Sequence, residues 1–317
     1  MLQLTRDSPI VALNIQQLRD AEERAEKAID YGLLATLAEA TALYIVYAGA
    51  YYAAAAAEVL YWPLAQLTDK RVEISTAEQL MYHVLAYHDE RVPVVAFIEP
   101  GNENTLIRLS DACRFTGAKL VAIAPPLPPP VESRFTGEEL LIVERTPLAT
   151  TFTLIAAKMA AHMAEKVNGI QLRLKRVSQE YRDVSIVYTS LIEEYRRTLD
   201  ELASVNEAAI YASATTMPAA RLSSLALLAA GGYARVEPLT ALLSDMSHKA
   251  GREPLRVLIY TDVEADVAKE ARFKARFMET GRLLELQLHT DPVTAPLYST
   301  LLGEYIVANK LYGERAE

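Results

Sequence analysis

The sequence predicts an α/β fold made of two doubly wound parallel-sheet domains in tandem, joined by a long helix. Three observations carry this. The first is Val92–Pro126. Val92–Ile98 is an apolar run of buried-strand length, Pro100-Gly101-Asn102 is a turn, and Glu103–Thr116 has helical spacing with Leu106, Leu109 and Cys113 on one side. Gly117 stops that helix and Lys119–Ala124 is a second apolar strand. Such a βαβ unit requires a parallel strand pair and a right-handed crossover. The second is a repeat: Arg256–Tyr260, an acidic turn, a helix over Glu264–Thr280 and a strand at Leu283–Leu288 follow the same order, and Thr280-Gly281-Arg282 matches Thr116-Gly117-Ala118-Lys119 in position. The third is Leu172–Leu202, a charged stretch whose Val184, Val187, Leu191, Ile192, Tyr195 and Leu199 recur at helical spacing. The expected division is 1–168, a joining helix over 169–205, and 206–317.

The remaining elements follow in order. Ile15–Leu33 is helical, with Glu22, Glu23 and Glu26 on its outer face. Ala40–Trp62 is the longest apolar run. It is rich in Ala and Tyr rather than Leu, Ile and Val, holds Glu58 and is followed by Pro63, so it reads as a buried strand (Ala42–Tyr47), a turn at Ala48–Ala50 and a buried helix, not a membrane span. A short strand at Arg71–Ile74 precedes a helix over Glu78–Tyr87 that Thr76 is placed to cap. Pro125–Pro130 holds five prolines in six residues and is expected to be extended. Glu139–Val143 is a strand, and Thr146-Pro147 opens a helix to about Lys166. In the second half, Ala208–Ala212 is a strand, Pro218–Ala230 a helix stopped by Gly231-Gly232, Arg235–Glu237 a strand, Leu239–His248 a short helix and Thr294–Tyr312 the closing helix.

Composition narrows the function. A 51% apolar content fits a packed chain, and a net charge of −9 disfavours nucleic acid or an anionic membrane as partner. The single cysteine, Cys113, excludes an intrachain disulfide and a cysteine-rich metal site. Met1–Pro9 lacks the apolar core of a targeting signal, so the cytoplasm is the expected compartment. His83 and His88 are spaced poorly for chelation, and no Asp/Glu/His cluster has metal spacing. No glycine-rich dinucleotide fingerprint, phosphate-binding P-loop or Gly-x-Ser-x-Gly elbow is present, so no cofactor is expected.

Gly101-Asn102 with the helix behind it, and Gly117–Ala124 (GAKLVAIA), resemble the sugar isomerase (SIS) domain. Two such domains joined by a helix, with a helix ending the chain, resemble the archaeal phosphoglucose/phosphomannose isomerases from Thr41 to Gly313. The resemblance implies SIS-type, flavodoxin-like sheets, a homodimer, a sugar or sugar-phosphate ligand and, if the chain is an enzyme, aldose–ketose isomerisation of the glucose 6-phosphate/mannose 6-phosphate kind. It assigns ligand binding to Gly49 and Tyr51 on the turn after the first strand, and to Gly101, Asn102 and Thr105 on the second turn. A helix N-terminus with free N–H groups, and glycine for close approach, suit a phosphate there. The resemblance also places His248 at the position of a ring-opening histidine, with Asp245 to orient it.

Several residues depart from that pattern. The first turn, Tyr47-Ala48-Gly49-Ala50-Tyr51-Tyr52, keeps one glycine and adds tyrosines. The second has Ile98 and Pro100 where serines are typical, and Glu99 and Glu103 bring negative charge to the phosphate position. They are expected to cap the helix start and stand where the phosphate is lost. Leu148, not Arg, follows Pro147, and Leu222–Tyr233 holds no carboxylate to act as base. His248 is the best catalytic candidate, although a histidine at a helix end also suits the dipole. Tyr44, Tyr47, Tyr51, Tyr52 and Tyr61 read as core and interface residues or as a stacking surface for a sugar. Three functions follow: a divergent sugar or sugar-phosphate binder with little or no isomerase activity; an active phosphosugar isomerase using His248 and unassigned residues; or a non-catalytic dimer with self-filled pockets.

Overall fold

The computed structural model describes residues 9–87, 91–135, 140–166, 171–248, 255–278 and 283–313. His88, Glu139 and the Thr280-Gly281-Arg282 half of the repeat lie outside the described residues. The chain forms two compact units. Unit 1 holds Gln16–Val184, and unit 2 holds Ser185–Glu317 together with Val11–Ile15.

Unit 1 runs α1 (Ile15–Ala28), α2 (Tyr31–Glu39), β1 (Ala42–Ala48), α3 (Tyr52–Leu67), β2 (Arg71–Thr76), α4 (Ala77–Gln79), β3 (Val94–Ile98), α5 (Glu103–Thr116), β4 (Leu120–Ala124), α6 (Pro129–Glu132), β5 (Leu140–Ile142), α7 (Leu148–Glu165) and α8 (Gln171–Arg182). Its five strands are all parallel, in the order β2-β1-β3-β4-β5. β3 and β4 are buried at every position, as continuous apolar runs in a sheet covered on both faces should be. Alternate residues serve opposite faces: Val94, Ala96 and Ile98 join Leu106, Leu109 and Cys113 of α5 in one cluster. On the other face Phe97 packs edge-on against Phe152 of α7 at 5.8 Å. The alanine run Ala53–Ala57 of α3 is wholly buried, as are Ala156, Ala157 and Ala160 of α7. Small side chains let these two helices lie close on the sheet.

Local signals decide several boundaries. Thr76 caps the following helix through the Gln79 amide at 3.1 Å, and that helix then widens into a π-helical turn at Leu80–Leu85. Gly117 takes φ +74° at the end of α5, and the Ala118 amide bonds the Cys113 carbonyl at 2.9 Å. The proline stretch is extended only to Pro128, beyond which α6 begins. The charged stretch after unit 1's sheet is two consecutive helices, α8 and α9 (Val184–Ser204), with the break at Asp183. There the Val184 amide turns to the Glu22 carboxylate at 3.0 Å.

Unit 2 continues through α9, β6 (Glu207–Ala212), α10 (Met217–Ala229), β7 (Tyr233–Pro238), α11 (Ala241–His248), β8 (Leu255–Thr261), α12 (Ala265–Met278), β9 (Leu283–Leu288) and α13 (Ala295–Tyr312). Its four parallel strands are ordered β7-β6-β8-β9, so β6 matches β1 and β8 matches β3. Gly303 of α13 lies so close to Ala219 and Leu222 of α10 that a Cβ there would overlap them, which sets the packing distance of these helices. Among the described residues no helix is long and apolar enough to cross a membrane.

Candidate functional site

In an open parallel sheet, ligands sit beyond the carboxyl ends of the strands where the strand order reverses. In unit 1 that point lies between β1 and β3, so the relevant turns are Gly49–Tyr51 and Glu99–Asn102. The fold brings Gly49, Tyr51, Gly101 and Asn102 onto these two adjacent turns. They are tied by the Glu99 amide, which donates to the Ala48 carbonyl at 2.8 Å.

Glu99 dominates the geometry. Its side chain is 4% exposed, and Oε1 accepts from the backbone amides of Tyr51 at 3.0 Å and Ala53 at 2.9 Å. These are the free N–H groups at the start of α3, where the Tyr51 side chain supplies no cap. The carboxylate thus makes the contacts a phosphate oxygen would make at a helix N-terminus. Gly49 adopts φ +124°, and a Cβ there would overlap the Glu99 carboxyl carbon. Its missing side chain makes room for Glu99.

The other residues of these turns are engaged locally. Gly101 takes φ +87° and its amide donates to Glu103 Oε1 at 3.0 Å. Asn102 Nδ2 donates to the Glu99 carbonyl at 3.2 Å. Thr105 Oγ1 donates to Glu78 Oε1 at 3.3 Å. Beneath the first turn Tyr52 is buried against Phe152, its hydroxyl without a hydrogen-bond partner. Burial first, and the Glu99 charge second, push its pKa well above the usual tyrosine value. Of the other tyrosines, Tyr44 joins the core cluster between the sheet and α5.

Unit 2 treats the equivalent turns differently. After β6 the chain reads Ser213-Ala214-Thr215-Thr216, with Ser213, Thr215 and Thr216 all buried. Thr216 Oγ1 donates to the Ile259 carbonyl at 2.7 Å, accepts from the Ser213 amide at 3.1 Å and lies 3.0 Å from Ser213 Oγ. After β8, Glu264 folds back to take the Thr261 amide at 3.0 Å and its hydroxyl at 2.5 Å. Beside it, Asp262 Oδ1 accepts from Gln287 Nε2 at 2.7 Å and faces His289 Nδ1 at 2.9 Å. The Gln287 hydrogen bond, then the His289 contact, hold the Asp262 carboxyl below its usual range against the cost of burial.

Sequence reasoning missed Ser213, Thr216, Asp262 and His289. The hydroxyl-rich turn was readable, because the repeat puts it directly after an apolar strand. The His289–Asp262 pair had no local signal, since β8 and β9 bring it together. His248 is the last residue of α11, and its side chain lies outside the described residues. Asp245, expected to orient it, accepts from Tyr211 Oη at 2.7 Å and pairs with Arg235. Cys113 is buried. Among the described residues no three His, Cys, Asp or Glu side chains gather as a metal site.

The SIS domain model matches residues 36–165, within unit 1. No curated protein matches the chain by sequence. Solved structures share the two-unit fold at low identity. A provisionally assigned sugar-binding protein from Salmonella typhimurium LT2 is 14% identical with a TM-score of 0.65, covering 92% of this chain and 98% of its own. The C-terminal domain of glucosamine-fructose-6-phosphate aminotransferase from Francisella tularensis is 12% identical with a TM-score of 0.62, covering 92% and 93%. Glucosamine-6-phosphate deaminase from Thermotoga maritima is 10% identical with a TM-score of 0.63, covering 96% and 95%.

Proposed function

We propose, from the SIS domain at residues 36–165 and a second unit of the same sheet plan, that this chain binds a carbohydrate derivative and has little or no aldose–ketose isomerase activity. The observation that carries the reading is Glu99. Its buried carboxylate takes the α3 amides that would otherwise be open to a phosphate. A phosphorylated ligand would have to displace that carboxylate, and the two negative charges repel strongly at short range in a low-dielectric site. The ligand that fits these turns is therefore an uncharged sugar, or one whose charged group lies away from α3. The absence of any carboxylate in Leu222–Tyr233 supports the lack of isomerisation, since moving a proton between adjacent sugar carbons needs a base within reach. A cytoplasmic homodimer accords with a single buried free cysteine and with the strongly exposed Phe115 and Tyr87.

The test is a thermal-shift and calorimetric panel of free sugars and sugar phosphates on the wild type and on Glu99→Ser/Pro100→Ser. The wild type should respond to free sugars and not to fructose 6-phosphate, and the double variant should gain phosphate affinity. Wild-type interconversion of fructose 6-phosphate and glucose 6-phosphate that disappears in His248→Ala would sink the proposal. A second reading is favoured by the same burial of Glu99: a non-catalytic structural subunit whose pocket is closed by its own side chain. It predicts no response to any sugar, free or phosphorylated.

A further inference from the structure

Helices α1, α2, α7 and α8 of unit 1, with Asp183 just after α8, form an open surface cleft of about 620 Å³ lined by Glu26, Tyr31, Lys158, His162, Arg182 and Asp183. No residue of the strand-end turns lines it. The cavity exists because α7 breaks its own pattern. That helix is almost wholly buried, yet Lys158 and His162 stand one turn apart on the same face, with Glu165 on the next turn. The Lys158 side chain is 9% exposed and its ammonium lies 2.8 Å from a Glu26 carboxylate oxygen. The Tyr31 hydroxyl donates to the same carboxylate, and the Tyr31 ring meets His162 edge-on with centroids 5.1 Å apart. From α8, Arg182 pairs with Glu165 at 2.5 Å.

Packing does not call for this set. A Met or Leu at position 158 would fill a similar volume with no charge to desolvate, and its Glu26 partner is half-exposed, where an ion pair adds little stability. The polar groups make sense as the wall of a site. Their charges decide what it takes. Lys158 and Arg182 are balanced by Glu26 and Asp183, and Glu165 stands behind Arg182, so a phosphate dianion gains no net attraction. A polyhydroxylated neutral molecule gains from both signs, because each hydroxyl can donate to a carboxylate and accept from a cation. The Tyr31–His162 pair offers an apolar surface for the C–H face of a ring. The volume falls in the range that small-molecule sites occupy.

We infer that this cavity is a second ligand site, separate from the strand-end turns, for an uncharged sugar or polyol of one or two rings. The inference stands whether or not the strand-end turns bind a ligand.

The test is calorimetric titration of the full chain with glucose, mannose, sucrose, mannitol and glucose 6-phosphate. Lys158→Met, Glu26→Gln and Tyr31→Ala are compared with Glu99→Ser, each variant being checked for native circular dichroism. At least one neutral compound should show a binding component that the three cavity variants weaken about tenfold or more and that persists in Glu99→Ser. Glu26→Gln keeps the side chain's shape, and Tyr31→Ala removes an exposed ring, so two variants remain informative if Lys158→Met folds poorly. No neutral compound binding at millimolar concentration would overturn the inference. So would a titration curve that is the same in all three cavity variants as in the wild type, with no binding component lost or weakened, or tighter binding of glucose 6-phosphate than of glucose through the same residues. Binding lost in Glu99→Ser but kept in the cavity variants would also overturn it, and would leave the strand-end reading standing.

Discussion

The turn after β1 in unit 1 and the turn after β6 in unit 2 occupy the same place in two matching sheets, and they satisfy their helix starts by opposite means. In unit 1 a carboxylate crosses from the neighbouring turn: Glu99 takes the amides of Tyr51 and Ala53, and Gly49 gives it room. In unit 2 the bonds are neutral: Thr216 ties the Ser213 amide to the Ile259 carbonyl, while Glu264 stays on its own turn. The orphan N–H groups of a helix start are the same physical problem in both. The long-range solution buries a charge, locks two turns together and repels an anion. The hydroxyl solution leaves no buried charge at the turn. The units therefore share a sheet plan and differ in the charge buried at their strand-end turns.

The most disruptive way to break this contrast is Gly49→Ala. The backbone at φ +124° is strained for any residue with a Cβ, and that carbon would overlap the Glu99 carboxyl group. We expect a loss of about 3 kcal/mol or more. Trp62 is the only tryptophan and lies on α3, so its fluorescence follows unit 1 during urea unfolding. A loss below about 1 kcal/mol would mean that Glu99 has somewhere else to go, and that the cradle is not specific to it.

A sharper comparison pairs Glu99→Gln with Glu264→Gln. Both keep the side-chain shape and remove the charge. Glu99 is buried and holds two amides of another turn, so its substitution should cost about 2 kcal/mol, in the range for hydrogen bonds to charged groups. Glu264 is half-buried and caps its own strand end, where about 0.5–1 kcal/mol is expected. Equal costs would mean that the two units bury their turn carboxylates alike. Thr216→Val comes next. It removes the hydroxyl that donates to Ile259 and accepts from Ser213, at about 1 kcal/mol, and the loss should appear in far-ultraviolet circular dichroism while the Trp62 transition stays in place. A shifted Trp62 transition would show that the hydroxyl turn is coupled to unit 1 after all.

How much of this was written locally in the sequence follows from the same contrast. Strands buried on both faces appear as unbroken apolar runs, so β3, β4 and β8 were legible, and the alanine-rich stretch gave β1 and α3. Gly49 and Gly101 were legible as turn positions, and both take positive φ in the structure. The place of Glu99 was legible too, beside a helix start that should attract an anion. Its partner was not. Expected at the start of the helix that follows it, the Glu99 carboxylate takes the amides at the start of α3, more than 40 residues earlier. The break at Asp183 is hidden for the same reason, because the Glu22 carboxylate that receives the Val184 amide comes from the other end of unit 1. His289 and Asp262 meet only through the β8–β9 register. Lys158 and His162 went unremarked inside the helix that Thr146-Pro147 opens, because the cleft they face depends on where α1, α2 and α8 pack. Local patterns thus gave the elements and the turns; the long-range pairings came from packing.

The smallest effect separates the units by pH. In unit 1, burial first and the Lys166 charge next hold His162 below its ordinary pKa of 6.5; Arg182 adds to this, while Glu165 and Glu26 oppose it. Below pH 6.5 the unfolded chain binds a proton at this residue that the folded chain refuses. Stability therefore falls as pH drops from 6.5 towards the folded pKa. Glu26 acts in a lower window. Its pKa is depressed from 4.5, chiefly by the Lys158 hydrogen bond and then by Tyr31, so its contribution is intact above 4.5 and is lost as pH falls through the folded value. In unit 2, Asp262 behaves like Glu26, below 3.8. Between pH 6.5 and 4.5 only His162 among these three groups titrates, so the Trp62 midpoint in urea should move down from pH 7 to pH 5 and the circular dichroism component of unit 2 should not follow it through them. His162→Gln should remove most of that shift. A shift of unchanged size in the variant would assign the acid response to another group and remove His162 from the account of unit 1.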